Sequence, residues 1–252
     1  MDLGALAAFG IVLVRIGMLV AATPLFGGTW APAQLKIGLT VMLALVVMPL
    51  VSLPALNTPA AIALATAHEA LVGLALSFSV RVLIAAAELG GYLIGFQLGF
   101  GYAAIVDPQS GVRNNLIAAL YGTLTLVAFL AANVHHAVIR LLVASYDSVP
   151  VVTVAAVDKS LVQTVARMLG LLFTTGVQLA APVVLVLVIV ELVMGVISRA
   201  APSLNLQVIG APLRLIVGLF ALGTAVSIMP GVVTRLSGWS VELSAHLAVA
   251  FR

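Results

Sequence analysis

Six stretches of this chain run for eighteen or more residues without a charged side chain: 16–35, 37–68, 89–106, 114–139, 168–190 and 215–234. A helix that crosses the hydrocarbon core of a bilayer needs about 20 consecutive, mostly apolar residues. Charge-free runs of this length constrain the fold class before any other feature does: the chain reads as an all-α membrane protein, with about six long hydrophobic helices arranged in hairpins. Composition agrees. Of the 252 residues, 63% are hydrophobic and 8% charged, with a mean hydropathy of +1.28. Soluble domains carry about 25% charged residues, so this chain lacks the charge to cover a water-facing surface.

Other broad features exclude more than they assign. There is no cysteine, which removes disulfides, thiol catalysis and thiolate metal sites, and leaves the redox compartment unread. The net charge of +3 comes from 11 scattered Lys and Arg residues without a basic cluster, so nucleic acid is not an expected partner. The leading segment MDLGALAAFGIVLVRIGMLVAATP has no positive start and carries Arg15 inside its apolar core. It reads as a retained helix, not a cleaved signal. Cytoplasmic loops usually carry the excess of Lys and Arg. Here Lys36, Arg113, Arg199 and Arg214 fall on one side of a six-helix arrangement and Lys159, Arg235 and Arg252 on the other, so orientation stays open.

Turn residues divide the chain. A first helix over 3–25 ends at TPLFGG, and a second over 35–56 bends at its far end at Pro49. A long helix over 60–96 carries His68, Glu69, Arg81 and Glu88. The next starts at Asn114, a suitable cap, and continues to 145. A second long helix spans 161–199, bent at Pro182, and RAAPSLNLQVIGAP separates it from a last apolar helix over 212–234. The tail is at best a short amphipathic helix. The two long helices, of about 35 residues, extend about 50 Å against a hydrocarbon core of about 30 Å. Either they tilt and break, or part of each is buried in protein outside the lipid.

The segment GFQLGFGYAAIVDPQSGVRNN, residues 95–115, differs from its surroundings. Glycines at 95, 99, 101 and 111, followed or interrupted by Asp107-Pro108, oppose a continuous helix, while its first half is as apolar as a membrane span. Irregular backbone at membrane depth survives only where protein or a water-filled cavity surrounds it, because lipid cannot satisfy free amides and carbonyls.

Single charges stand inside otherwise apolar stretches: Arg15, Arg81, Glu88, Arg140 and Glu191. Each costs roughly 2.5–3.5 kcal/mol at a helix centre unless paired or wetted, so pairing between helices or subunits is expected, with a polar conduit as the alternative. Arg81 and Glu88, seven residues apart, share a helix face and could reach a common partner. Gly91, Gly95 and Gly99 recur every fourth residue, a spacing that lets a neighbouring backbone approach closely.

Catalytic sites are not evident. His68-Glu69 begins like a zinc-protease helix, but Val72 stands where the second histidine belongs. His135 and His136 are adjacent and point about 100° apart on a helix, which does not suit a shared metal. Neither a G-x-S-x-G elbow nor a G-x-x-x-x-G-K-[ST] loop occurs. Asp107 and Asp147 lack the glycine context of an intramembrane aspartyl dyad.

Five stretches together resemble a known family in order and spacing: Arg15 followed by TPLFGG; Glu88 leading into Gly-x-Gln-x-Gly at 95–99; GFQLGFGYAAIVDPQSG itself; Asn133-Val134-His135-His136; and RAAPSLNLQVIGAPLR at 199–214. The resemblance covers almost the whole chain and is to the FliR family, the R-type subunit of the flagellar type III export gate and its counterpart in virulence injectisomes. Val134 departs from the family's usual glycine before histidine. The resemblance implies a non-enzymatic subunit over 1–252, with residues 1–160 similar to the P-type subunit and 161–252 similar to the Q-type subunit. It implies assembly with P-type and Q-type subunits in the flagellar basal body of the bacterial inner membrane, and contact with the large A-type and B-type export membrane proteins and with lipid. Unfolded export substrates would pass through the channel, with no cofactor and no metal. The family's loop at 99–111 acts as a channel plug, here formed by Gly99, Phe100, Gly101, Tyr102, Ile105, Asp107 and Pro108. Phe100, Tyr102 and Ile105 would supply apolar bulk, and Gly99 and Gly101 backbone freedom. An apolar constriction blocks ions by dewetting, and a seal that must move belongs on a loop. The competing reading is a secondary transporter with broken helices, to which the echo of Glu88-Leu89 in Glu191-Leu192 adds little. Flagellar or injectisome membership stays open at this stage.

Overall fold

A computed structural model describes residues 3–28, 31–51, 58–100, 115–151, 160–201, 206–227, 229 and 231–232. Among them are eight α-helices and no strand: α1 (Leu3–Ala22), α2 (Pro24–Gly27), α3 (Ala33–Val47), α4 (Pro59–Leu98), α5 (Leu116–Ala131), α6 (Val134–Ser148), α7 (Ser160–Ala200) and α8 (Leu206–Val226). Four segments are long and apolar enough to cross a membrane: Ala33–Leu50, Pro59–Leu98, Leu161–Ala200 and Val208–Val226. The bent pair α5 and α6 makes a fifth, and Ala7–Ala22 is a shorter apolar helix. The protein is therefore an all-α membrane protein, as the charge spacing predicts, with four or five candidate spans among the described residues.

Local chemistry explains the helix ends. The Thr58 hydroxyl accepts the Ala61 amide at 3.2 Å, and Pro59 opens α4 at a position where a missing N–H costs nothing. At the far end of α3, Pro49 sits in a 3-10 turn, Met48–Leu50, so the second predicted helix stops at Val47 instead of bending. In contrast, α7 continues through Pro182, and α8 begins at Leu206 and carries Pro212 inside it. The predicted break before residue 212 is thus shorter than expected. A proline in a helix removes one backbone hydrogen bond, a loss that neighbouring groups in membrane helices can absorb.

The helix predicted over 114–145 divides at Asn133, which adopts φ 56°, ψ 28°, and the flanking helices bend by 72°. Left-handed backbone is tolerated by asparagine better than by most residues. The left-handed residue is Asn133, while Val134 is the first residue of α6, which explains how this chain does without a glycine at 134.

The chain divides into two compact units, interleaved in sequence. One draws on Met1–Leu83 and Phe129–Leu169. Its core contains Ile16 and Leu19 of α1, Val47 of α3, Val72 and Leu76 of α4 and Leu142 of α6. The other draws on Ile84–Ala128 and Gly170–Arg235, with Ile94 of α4, Tyr121 of α5, Val183 and Leu187 of α7 and Leu222 of α8 buried.

Candidate functional site

Arg15 is fully buried in the first unit, in the middle of α1. Its Nε donates to Glu69 Oε2 at 2.7 Å, and its Nη2 to Glu69 Oε1 at 2.6 Å. Nη1 donates to Ser145 Oγ at 3.0 Å, and Nη2 also to the Val149 carbonyl at 2.9 Å. The guanidinium carries five N–H groups, and these four bonds use most of them. The Tyr146 ring lies 4.0 Å from the guanidinium carbon, a cation–π distance, and the Tyr146 hydroxyl reaches toward the Val12 carbonyl at 3.4 Å. Val149 follows the last turn of α6, so the cation also meets the negative end of that helix. Arg15 therefore ties α1, α4 and α6 in one register. Two-pronged carboxylate pairs are the strong form of the ion pair, and breaking one inside a protein costs about 3–5 kcal/mol.

Sequence reasoning placed Arg15 as a charge in need of a partner but missed the partner. Glu69 entered it only as a charge of the long helix and beside His68 in an incomplete zinc motif, and Tyr146 was given no role. The missed signal was that Glu69, also fully buried, ends a charge-free run of its own. His68 Nδ1 stands 3.7 Å from Glu69 Oε1. The adjacent rings of His135 and His136 have centroids 4.1 Å apart and are tilted by 43°. No group of three His, Asp or Glu side chains that could hold a metal occurs among the described residues.

Glu191 also pairs within the chain, with Arg214 at 2.6 Å, joining α7 to α8 through half-exposed side chains. The remaining predicted charges do not. Arg81, Glu88 and Arg140 are exposed and make no ion pair among the described residues, so the shared partner expected for Arg81 and Glu88 is not found there. Arg81 edges an apolar groove of about 430 Å³ with Leu71, Leu74, Phe78, Leu161 and Val165. Glu88 lines a cavity of about 560 Å³ with Leu89, Tyr92, Asn115, Ala118 and Leu172.

The glycines behave as small contact residues. A Cβ on Gly91 would lie 2.6 Å from the Ile117 carbonyl oxygen, and one on Gly95 would collide with the Asn115 amide. That amide has three tasks: its oxygen accepts the Ile117 and Ala118 N–H groups at 3.0 and 3.4 Å, and its nitrogen donates to the Tyr92 carbonyl at 3.1 Å. Asn115, one residue after the expected Asn114, thus caps α5 and pins it to the end of α4.

The long helix expected over 60–96 extends two residues further, so the irregular segment expected from residue 95 starts later: α4 runs through Gly91 and Gly95 to Leu98. It ends at Gly99, the one glycine with positive φ among the described residues, at 93°. The Gly99 amide donates to the Phe96 carbonyl at 3.1 Å and the Phe100 amide to the Gly95 carbonyl at 2.9 Å. This is a Schellman cap, which depends on a residue tolerant of left-handed backbone. Phe100 is exposed just beyond it. Gly101, Tyr102, Ile105, Asp107 and Pro108 lie outside the described residues.

Fold and site together define a polytopic α-helical membrane protein held by an intrachain Arg–Glu clamp, with a long helix capped by glycine at the edge of its most distinctive motif. The family model for bacterial export proteins, family 1, matches residues 6–238, and the chain belongs to this family, that of the flagellar biosynthetic protein FliR. It is 32% identical to flagellar biosynthetic protein FliR of Bacillus subtilis over 95% of this chain and 94% of that protein. It is 32% identical to that of Escherichia coli over 82% and 79% of the two chains, and 29% identical to that of Caulobacter vibrioides over 86% and 87%. The protein is a flagellar biosynthetic export component.

Proposed function

We propose that the protein is the R-type core subunit of the flagellar export gate in the bacterial inner membrane and basal body, with a transport role and no catalytic one. In this reading its hairpins line the channel taken by unfolded substrates, and the loop at 99–111 closes it at rest. P-type and Q-type subunits assemble around it, with the A-type and B-type export membrane proteins alongside.

The observation that carries the reading is the length of α4 and α7. At 40 and 41 residues they extend about 60 Å at 1.5 Å per residue, about twice the hydrocarbon thickness. In the apolar 18-residue stretch that qualifies α7 as a span only 17% of the residues are buried, against 61% in that of α4, and Phe173, Val177, Leu185, Ile189 and Val196 stand exposed along α7. Lipid can cover part of such a helix. The remainder needs apolar protein, which sister subunits of an assembly supply.

Family membership and the motif at 95–111 support the plug. Deleting residues 100–106 is expected to make the membrane leak ions while assembly survives, read as conductance in reconstituted bilayers and as co-purified partner subunits. Unchanged conductance in an assembled deletion variant would sink the plug.

A further inference from the structure

Glu88 is a carboxylate inside a long apolar helix with no hydrogen bond or ion pair among the described residues. Such a group is expensive at membrane depth unless a counter-charge or water meets it. Its surroundings are shaped for a counter-charge. The cavity beside it, about 560 Å³, has apolar walls from Leu89, Ala118 and Leu172 and polar groups at Glu88, Tyr92 and Asn115. Gly122 makes room for the carboxylate: a Cβ there would lie 2.9 Å from Glu88 Oε1. Tyr92 stands one helical turn beyond Glu88 on the same face and is half exposed.

We propose that this cavity receives an arginine side chain from a helix of a partner membrane subunit. The proposal rests on the export-gate reading for the existence of such partners; the chemistry of the occupant follows from the cavity. An arginine stem lies comfortably along apolar walls while its head reaches a polar end. The planar guanidinium pairs with a carboxylate through two parallel bonds and packs on an aromatic face, which an ammonium does less well. The same helix already shows this mode of neutralisation: Glu69 holds Arg15 with two bonds while the Tyr146 ring covers the cation at 4.0 Å. Glu88 and Tyr92 repeat the carboxylate and the aromatic ring, and no cation among the described residues completes the set.

The test co-expresses the full chain with its P-type and Q-type subunits, purifies through a tag on this chain and quantifies the partners recovered. Glu88→Gln is expected to lower recovery at least about tenfold, equivalent to about 1.4 kcal/mol, while the variant accumulates in the membrane like wild type. Glu88→Asp should keep part of the recovery, and Gly122→Leu should lose it. A photo-reactive phenylalanine analogue at Ala119, which also lines the cavity, should crosslink to a partner peptide that contains arginine. Changing that arginine to glutamate in a Glu88→Arg background should restore recovery. Wild-type recovery with Glu88→Gln overturns the pocket and leaves the export-gate reading intact. Failure of the wild-type chain to recover either partner overturns that reading, and the pocket with it. A crosslinked peptide without arginine overturns the pocket alone. So does rescue of Glu88→Arg by Arg113→Glu in the same chain, because the cation would then be internal. Loss of Glu88→Gln from the membrane also overturns it, by making Glu88 a folding residue.

Discussion

Two carboxylates on α4 have opposite fates. Glu69 has no exposed surface and is clasped by Arg15, which also binds Ser145 and the end of α6. Glu88, further along the same helix, is exposed beside a cavity and meets no cation among the described residues. Both interrupt apolar sequence, and both would be costly in lipid. The difference teaches that a charge in a membrane helix can serve two ends: one satisfied inside the chain fixes helix register, and one left open specifies what must dock. Glu191 falls between them, paired with Arg214 yet partly exposed.

The comparison breaks most sharply at Arg15. Arg15→Ala is expected to destabilise the chain by about 3–5 kcal/mol, because it strands a buried carboxylate. The check is thermal unfolding in detergent together with membrane accumulation. The double variant Arg15→Met, Glu69→Leu should recover much of that loss, since two apolar residues leave no orphaned charge. If the double variant is as unstable as Arg15→Ala, packing and not charge controls the site.

A smaller effect is expected in the unit that holds Glu88. Gly91→Ala forces a methyl group against the Ile117 carbonyl and should cost about 1–3 kcal/mol, as overpacking does, measured in the same unfolding assay. In the other unit, Asn133→Ala should cost about 1–2 kcal/mol through left-handed strain, and Asn133→Gly should be close to neutral. The smallest effect sharpens the contrast itself. In the isolated chain, Glu88→Gln should change stability by no more than about 0.5 kcal/mol, as for surface positions generally, whereas Glu69→Gln should be strongly destabilising. Equal effects would erase the distinction between the two carboxylates.

Much of this was legible in the sequence. The lengths of α4 and α7, the turn after α1 and the need of Arg15 for a partner follow from charge spacing and from proline and glycine positions. The division at Asn133 was not, because the run 114–139 contains no charge or proline to mark it. Pro212 misled in the other direction: one missing N–H is too weak a signal to end a helix whose neighbours compensate. The spacing of Gly91 and Gly95 pointed to a close helix contact, while Gly95 also opened the segment expected to be irregular. The Ile117 carbonyl and the Asn115 amide packed against them select the contact.

Sequence alone determined that this chain is helical and belongs in a membrane, because a backbone surrounded by lipid must satisfy its own hydrogen bonds and long uncharged runs permit no other solvent. Tertiary structure decided which charges are spent within the chain. Arg15 meets Glu69 across 54 residues and Ser145 across 130, separations over which no periodicity carries information. Only the packed register of three helices brings those groups within 3 Å, and only the packing of α4 with α5 and α7 leaves Glu88 beside a cavity.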